Sequence, residues 1–248
     1  MLKVFCKNNG TYKEFQEGTT LLEMLPSFDF DKPYDIVSAK VNNVCEGLKF
    51  RVFNNRDVEF LDYRSYNGRN VYCRSLCFLL YKAAKELFPN CKIILRRPIS
   101  KGFFCCMDKG NGLMLTSEDV DAISLKMREI VDMDIPFRRY EAQVSEAIKI
   151  FKKLGQEDKV KLLETCGEVY INYYTLDNTT DYHYDALVPS TGYLKVWSLS
   201  TYHGGMLLRV PDRHEPLKLA PFYEQPKTFD VFTETVNWNR IMGLSNVG

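Results

Sequence analysis

The chain has 248 residues, 45% apolar and 26% charged, enough for two ordinary domains or one large one with a sizeable core. Its 33 basic and 32 acidic side chains leave a net charge of +1, so no global field draws it to nucleic acid or to an anionic membrane. No apolar run approaches the roughly 20 residues of a membrane-spanning helix, and Met1-Leu2-Lys3-Val4-Phe5 turns polar too soon for a signal peptide.

Residues 2–5 alternate and predict a strand. Residues 11–15 predict its hairpin partner across Lys7-Asn8-Asn9-Gly10, where Asn-Gly favours a tight turn. Gly18-Thr19-Thr20 opens a short apolar helix over residues 21–25, with Thr19 or Thr20 as the N-cap and Pro26 as the stop. Strands follow at residues 36–41, 48–52 and 58–61. The order is that of a small α+β sheet with one covering helix.

Residues 68–88 predict a helix in which Val71, Ser75, Phe78, Leu79, Ala83 and Leu87 share a broad face, stopped by Pro89-Asn90. Short strands are expected at residues 93–95 and 102–108. Thr116, with Asp119 three positions on, reads as a capping box before a helix whose core face is Val120, Ile123, Met127, Ile130 and Val131. Ile135-Pro136-Phe137 begins an extended piece, and a helix led by Ser145 ends near Gly155. Strands are expected at residues 169–174, 193–199 and 206–210.

Eight cysteines occur without a C-x-x-C pair, which suits reduced thiols in a cytosolic, cytoplasmic protein. The basic pairs Arg96-Arg97, Arg138-Arg139 and Lys152-Lys153 read as solvated surface, or as parts of a local basic patch. No phosphate-binding G-x-x-x-x-G-K-[ST] loop is present; Lys109-Gly110-Asn111-Gly112 lacks the lysine and hydroxyl that such a loop needs.

Gly18-Thr19-Thr20-Leu21-Leu22-Glu23 and Ala39-Lys40-Val41-Asn42-Asn43, with Leu48 and Val58-Glu59-Phe60-Leu61, resemble the TGS domain, a ubiquitin-like β-grasp module. This covers residues 1–62. Beyond it, Ser75, Leu79-Leu80, Ala84, Leu87-Phe88-Pro89, Ile99-Ser100-Lys101-Gly102-Phe103-Phe104 and Ile135-Pro136-Phe137-Arg138-Arg139 resemble the second additional (editing) domain of threonyl-tRNA and alanyl-tRNA synthetases. The strongest match is Val188-Pro189-Ser190-Thr191-Gly192. The resemblance implies an α+β domain over residues 63–212.

That family's metal-dependent site reads His-Ser-x-x-His-Leu-Leu in one segment and Asp-x-Cys-x-x-x-His-Val-Pro-Ser-Thr-Gly in the other. Here the ligand positions read Arg74, Phe78, His183 and Leu187. A guanidinium stays protonated, and phenylalanine and leucine have no donor atom, so only His183 remains as a ligand, and one ligand makes no zinc site. Cys73 and Cys77, four apart, are read either as packed small residues or as a Cys2His-type site with His183 or His203. Arg74 is a candidate for a phosphate or carboxylate, or else pairs internally with Asp181 or Asp185. His183 either contacts a ligand or bonds within a polar loop. Ser190 and Thr191 complete the ligand-binding candidates; the alternative is a turn whose hydroxyls bond to backbone.

The same pair of modules precedes a P-loop kinase domain in a uridine kinase-like family of bacterial nucleoside kinases, and Arg74 together with residues 232–248 resembles that family more than a synthetase. The resemblance implies a non-catalytic N-terminal region with no cofactor of its own. Residues 213–248 would be a linker, and ATP and magnesium would belong to a kinase domain beyond Gly248. Expected partners are that domain and a nucleoside, nucleotide or RNA ligand, with no membrane. The alternatives are a metal-dependent hydrolase of mischarged tRNA and an RNA-binding module without chemistry.

Overall fold

The computed structural model describes residues 1–110, 112–224 and positions 227, 231, 234, 238, 241 and 242, without the side chains of residues 95–97. The Arg96-Arg97 side chains, Asn111 and most of the expected linker after residue 224 therefore lie outside the described residues. The fold is mixed α+β with several sheets.

In the first sixty residues, β1 (Leu2–Cys6) and β2 (Thr11–Phe15) form the expected hairpin, with Gly10 at φ +68° in its turn. A short strand β3 (Thr19–Thr20) leads into α1 (Leu21–Met24). Thr20 is its N-cap, and Glu23 closes the capping box on the Thr20 backbone N–H at 2.8 Å. Pro26 does not end the helical path. It sits in a 3-10 turn, Leu25–Ser27, whose first residues need no donor.

Strands β4 (Ile36–Val41), β5 (Val44–Glu46), β6 (Arg51–Val52) and β7 (Arg56–Asp62) complete this module. The sheet order is β2-β1-β7-β4-β5, with β1 and β7 parallel. The expected strand at residues 48–52 shrinks to β6, which pairs only with β3. The reason lies in α1: the Leu48 and Phe50 carbonyls accept from the Leu22 and Leu21 N–H groups at its unsatisfied N-terminus. Leu2, Val4, Leu21, Met24, Phe28 and Val58 form the separate core of this module.

The second part is organised on α2 (Tyr66–Leu87). The face predicted from the sequence is buried except for Leu87, which is exposed, and Tyr72, Cys73, Leu76, Leu80, Lys82 and Ala84 are buried as well. A helix apolar on nearly every side belongs in the centre of a core. Strands β8 (Lys92–Ile99) and β9 (Gly102–Asp108) form a hairpin, and α3 (Ser117–Asp132) carries the expected capping box from Thr116 to Asp119. Its predicted core face is buried throughout.

Strand β10 (Phe137–Gln143) leads into α4 (Val144–Lys153), whose N-cap is Gln143 without a side-chain cap; Ser145 lies inside the helix instead of leading it. A further helix, α5 (Glu157–Thr165), and strand β12 (Thr179–Tyr182) after β11 (Tyr170–Leu176) were not anticipated. The strand expected at residues 193–199 is replaced at its start by a 3-10 turn, Thr191–Tyr193, and becomes extended only in β13 (Ser198–Tyr202). With β14 (Gly205–Arg209) these strands make an antiparallel sheet ordered β13-β14-β9-β8 and a second ordered β10-β11-β12.

The joint between the two parts is tight at one point. Ser65 caps α2 by accepting from the Gly68 N–H at 3.0 Å, and this turn presses Gly68 against the Asp62 carbonyl at the end of β7. A Cβ at Gly68 would overlap the Asp62 backbone. Gly68→Ala is therefore expected to lower stability by about 3 kcal/mol, the upper range for forcing a methyl into a packed site. Urea unfolding of the wild type and the variant reads it; an unchanged midpoint would contradict this packing.

Candidate functional site

Arg74 and Phe78 lie one turn apart on α2 and face the segment at residues 181–192. Ser75, between them, fixes that segment: its hydroxyl donates to the Val71 carbonyl at 2.7 Å and accepts from the Val188 N–H at 2.9 Å. Val188 thereby brings Leu187 against the helix. Phe78 is 1% and Leu187 3% exposed. The Phe78 ring lies 5.8 Å from Phe137 and 5.2 Å from His183 between centroids. The two positions are filled by packed carbon.

Arg74 is held by this chain. One guanidinium nitrogen donates to the Ala186 carbonyl at 2.6 Å and another to Asp185 at 2.8 Å, while Tyr184 stands beside the guanidinium at 5.6 Å. Of the two internal partners considered, Asp185 is the one engaged. Asp181 instead receives Lys159 at 2.9 Å.

His183 packs between Phe78 and Tyr174. Its Nε2 is buried without a hydrogen bond, with the Asp181 carboxylate 3.7 Å away. Burial lowers its pKa from 6.5 to about 4; Asp181 opposes the shift, while Lys159 and Arg74 add to it. Burial likewise raises the Tyr174 phenol and pushes Tyr81 up to about 12.

Thr191 is fully buried. Its hydroxyl donates to the Ile130 carbonyl at 2.7 Å and accepts from the Ile135 N–H at 2.8 Å, joining the end of α3 to β10. Ser190 makes an isolated bridge with Pro136. The structure thus brings Arg74 and His183 to one place and sets Ser190 and Thr191 behind it, at the α3–β10 corner.

The residues do not fit a zinc ion. At the four ligand positions stand a paired guanidinium, two buried hydrocarbon side chains and one imidazole. Among the described residues, no group of three or more His, Cys, Asp or Glu side chains is placed to hold a metal, so Cys73 and Cys77 form none with His183 or His203. Cys73 is buried, and burial raises both thiols.

The mouth carries groups that motif reading missed. Glu46 of β5 pairs with Arg139 of β10 at 3.3 Å, and the Lys49 ammonium donates to the Phe137 carbonyl at 3.3 Å. Burial raises the Glu46 carboxyl against the pull of Arg139, and burial lowers the Lys49 ammonium. Between Gly47, Lys49, Arg139, Tyr174, Leu187 and Pro189 a cleft of only about 90 Å³ remains. Lys82, one turn beyond Phe78, is 1% exposed and neutralised by Glu86 at 2.7 Å and Asp177 at 3.3 Å. An apolar helix with Lys82 and Glu86 four apart was the available signal for that pair.

The chain is 30% identical over 205 residues to threonine–tRNA ligase of Desulforamulus reducens, covering 82% of this chain and 32% of that protein. It is 29% identical over 197 residues to the ligase of Carboxydothermus hydrogenoformans, covering 79% and 31%. With that of Clostridioides difficile it shares 27% over 205 residues, covering 82% and 32%. The chain thus spans about a third of the length of these relatives and is homologous to the N-terminal region of threonyl-tRNA synthetases, where a TGS module precedes an editing domain. No family model matches it.

Two outcomes follow. Thr191→Val leaves the buried Ile130 carbonyl and Ile135 N–H without their side-chain partner and is expected to cost about 1–3 kcal/mol in urea unfolding. For His183, the unfolded chain binds a proton below pH 6.5 while the folded one resists it down to about pH 4. The unfolded state holds more protons in that window, so stability falls as pH falls, by up to about 3 kcal/mol from this group. His183→Phe, which keeps a ring in the aromatic cluster, should lose less stability than the wild type between pH 7 and 4.5. Parallel loss in both proteins would refute the assignment.

Proposed function

We propose that these residues are the non-catalytic N-terminal region of a larger cytoplasmic enzyme, and that they serve in regulation, ligand sensing or assembly. The observation that carries the reading is the filled interior of the former editing site, where Phe78 and Leu187 are buried and Arg74 is clamped by Asp185 and Ala186. Hydrolysis of a mischarged tRNA needs a cavity for the aminoacyl end and a group that activates water. The packing of Phe78 against Phe137 and His183 leaves neither there.

For the parent, we propose a uridine kinase-like nucleoside kinase, phosphorylating a nucleoside with ATP and magnesium in a domain after residue 248. The replacement of the ligand histidines by Arg74, Phe78 and Leu187 supports this over a synthetase, since an editing enzyme requires them and a kinase does not. The partner of the region is then its own kinase domain. The near-neutral charge of +1 gives RNA binding no electrostatic drive.

The test has two arms. The purified chain is assayed for release of amino acid from mischarged tRNA and for bound zinc by elemental analysis. Neither is expected, and deacylation with one zinc per chain would overturn the non-catalytic reading. The reading frame beyond Gly248 is then sequenced and the full protein assayed for phosphorylation of uridine. Absence of a P-loop there would overturn the kinase parent and leave the first conclusion standing.

A further inference from the structure

A larger cleft lies on the seam between the two modules, away from the filled site. Its mouth, about 520 Å³, has Lys32, Tyr34 and Asp35 on one wall and Asp134, Tyr193 and Lys195 on the other. Beside it lies a narrow slot of about 50 Å³ that shares Tyr34, Asp35, Tyr193 and Lys195 with the mouth. Mouth and slot therefore adjoin at these four residues, with both modules supplying walls. The mouth has a volume in the range of small-molecule sites, and module interfaces are where such sites commonly occur.

The two ends differ in chemistry. The slot is walled by Val37, Tyr63, Tyr72, Val196 and Leu217, and its phenols are already used: Tyr63 donates to the Pro211 carbonyl at 2.9 Å and Tyr72 to the Val196 carbonyl at 3.1 Å. It therefore presents hydrocarbon and ring faces. The mouth presents charges of both signs. Lys195 and Asp35 pair at 2.8 Å, yet their side chains remain 65% and 57% exposed. An exposed ion pair of this kind contributes little, so its partners can be exchanged at small cost.

We propose that this seam binds a free α-amino acid with an apolar side chain, its carboxylate on Lys195, its ammonium on Asp35 and its side chain in the slot. A zwitterionic head replaces both halves of the exposed pair at once and leaves no charge unpaired. A nucleotide is disfavoured by the same geometry. Its phosphate would meet Asp35 and Asp134, and Lys32 is committed to the Phe28 and Leu25 carbonyls at 2.7 and 3.3 Å. Because the two walls belong to different modules, the ligand bridges them and stabilises one relative placement by mass action. The site does not depend on which reaction the parent carries out.

Calorimetric titration of the whole chain with L-leucine, glycine and uridine monophosphate tests this, alongside Lys195→Ala and Leu217→Asp. Both substitutions are at exposed positions, so the fold is retained. L-Leucine is expected to bind. Glycine, lacking the side chain, should bind at least about tenfold more weakly, and each variant should weaken L-leucine by a similar factor. No heat with L-leucine, equal affinity for glycine, equal affinity in both variants, or preference for uridine monophosphate would each overturn the proposal.

Discussion

The Ser75 hydroxyl holds together the two chain segments on which everything else in the second module depends. A helix buried on nearly every side has to satisfy each of its polar side chains inside the protein. Those of α2 do so against one stretch of chain. Tyr72 accepts from the Val196 N–H and donates to its carbonyl, Arg74 reaches Ala186 and Asp185, Ser75 accepts from Val188, and Lys82 meets Asp177 and Asn178. Sliding the helix by one turn would strand all four. The position of α2 and the course of residues 177–196 are therefore one constraint, and the β10-β11-β12 sheet inherits its placement from it.

The tie between α2 and the later segment does not call on a metal. A bound zinc would tie α2 to the later segment through coordination bonds. Removing the ion from an intact ligand set would leave four buried polar groups facing one another. Here the same tie is made by different forces. Phe78 and Leu187 bury hydrocarbon between the segments, each side chain worth about 2 kcal/mol of burial, and the Arg74–Asp185 pair closes the rim. His183 is the one of the four positions with a donor atom, and its Nε2 is buried with no hydrogen bond while the ring packs among Phe78 and Tyr174. Thr191 makes its bonds to Ile130 and Ile135 instead, which gives the Val-Pro-Ser-Thr-Gly run a structural role.

Features governed by local chemistry were legible in the sequence. The Thr20 and Thr116 capping boxes, the Asn-Gly hairpin and the α3 core face need only neighbours a few residues away, and they appear as the spacing predicts. So does the incompatibility of Arg74, Phe78 and Leu187 with a metal, because it follows from side-chain chemistry alone. What failed depends on distant partners. Residues 48–50 look like a strand, but their carbonyls are drawn to the N-terminus of α1. Residues 193–197 look like a strand, but the Thr191 hydroxyl bends the chain into a 3-10 turn first. Helix α5 is short and its N-cap, Gln156, makes no side-chain bond, so only the acidic Glu157 and Asp158 of its first turn announce it locally. At the site, the partner of Arg74 was open between two aspartates four apart; only the path of β12 decides it, by sending Asp181 to Lys159.

The two ways of joining chain segments in this protein also differ in how easily they yield. Within the second module the joint is hydrocarbon and buried hydrogen bonds, which cost several kcal/mol to open. Between the modules, Val37 and Tyr63 are buried at the centre of the contact, and its edges carry ion pairs: Asp35 with Lys195, exposed, on one side and Glu46 with Arg139, partly buried, on the other. Exposed pairs add little and exchange readily with solvent. Of the two edges, the exposed Asp35–Lys195 pair is the one a ligand could displace at small cost. The editing-like positions are closed differently, since opening them would expose Phe78 and Leu187 together.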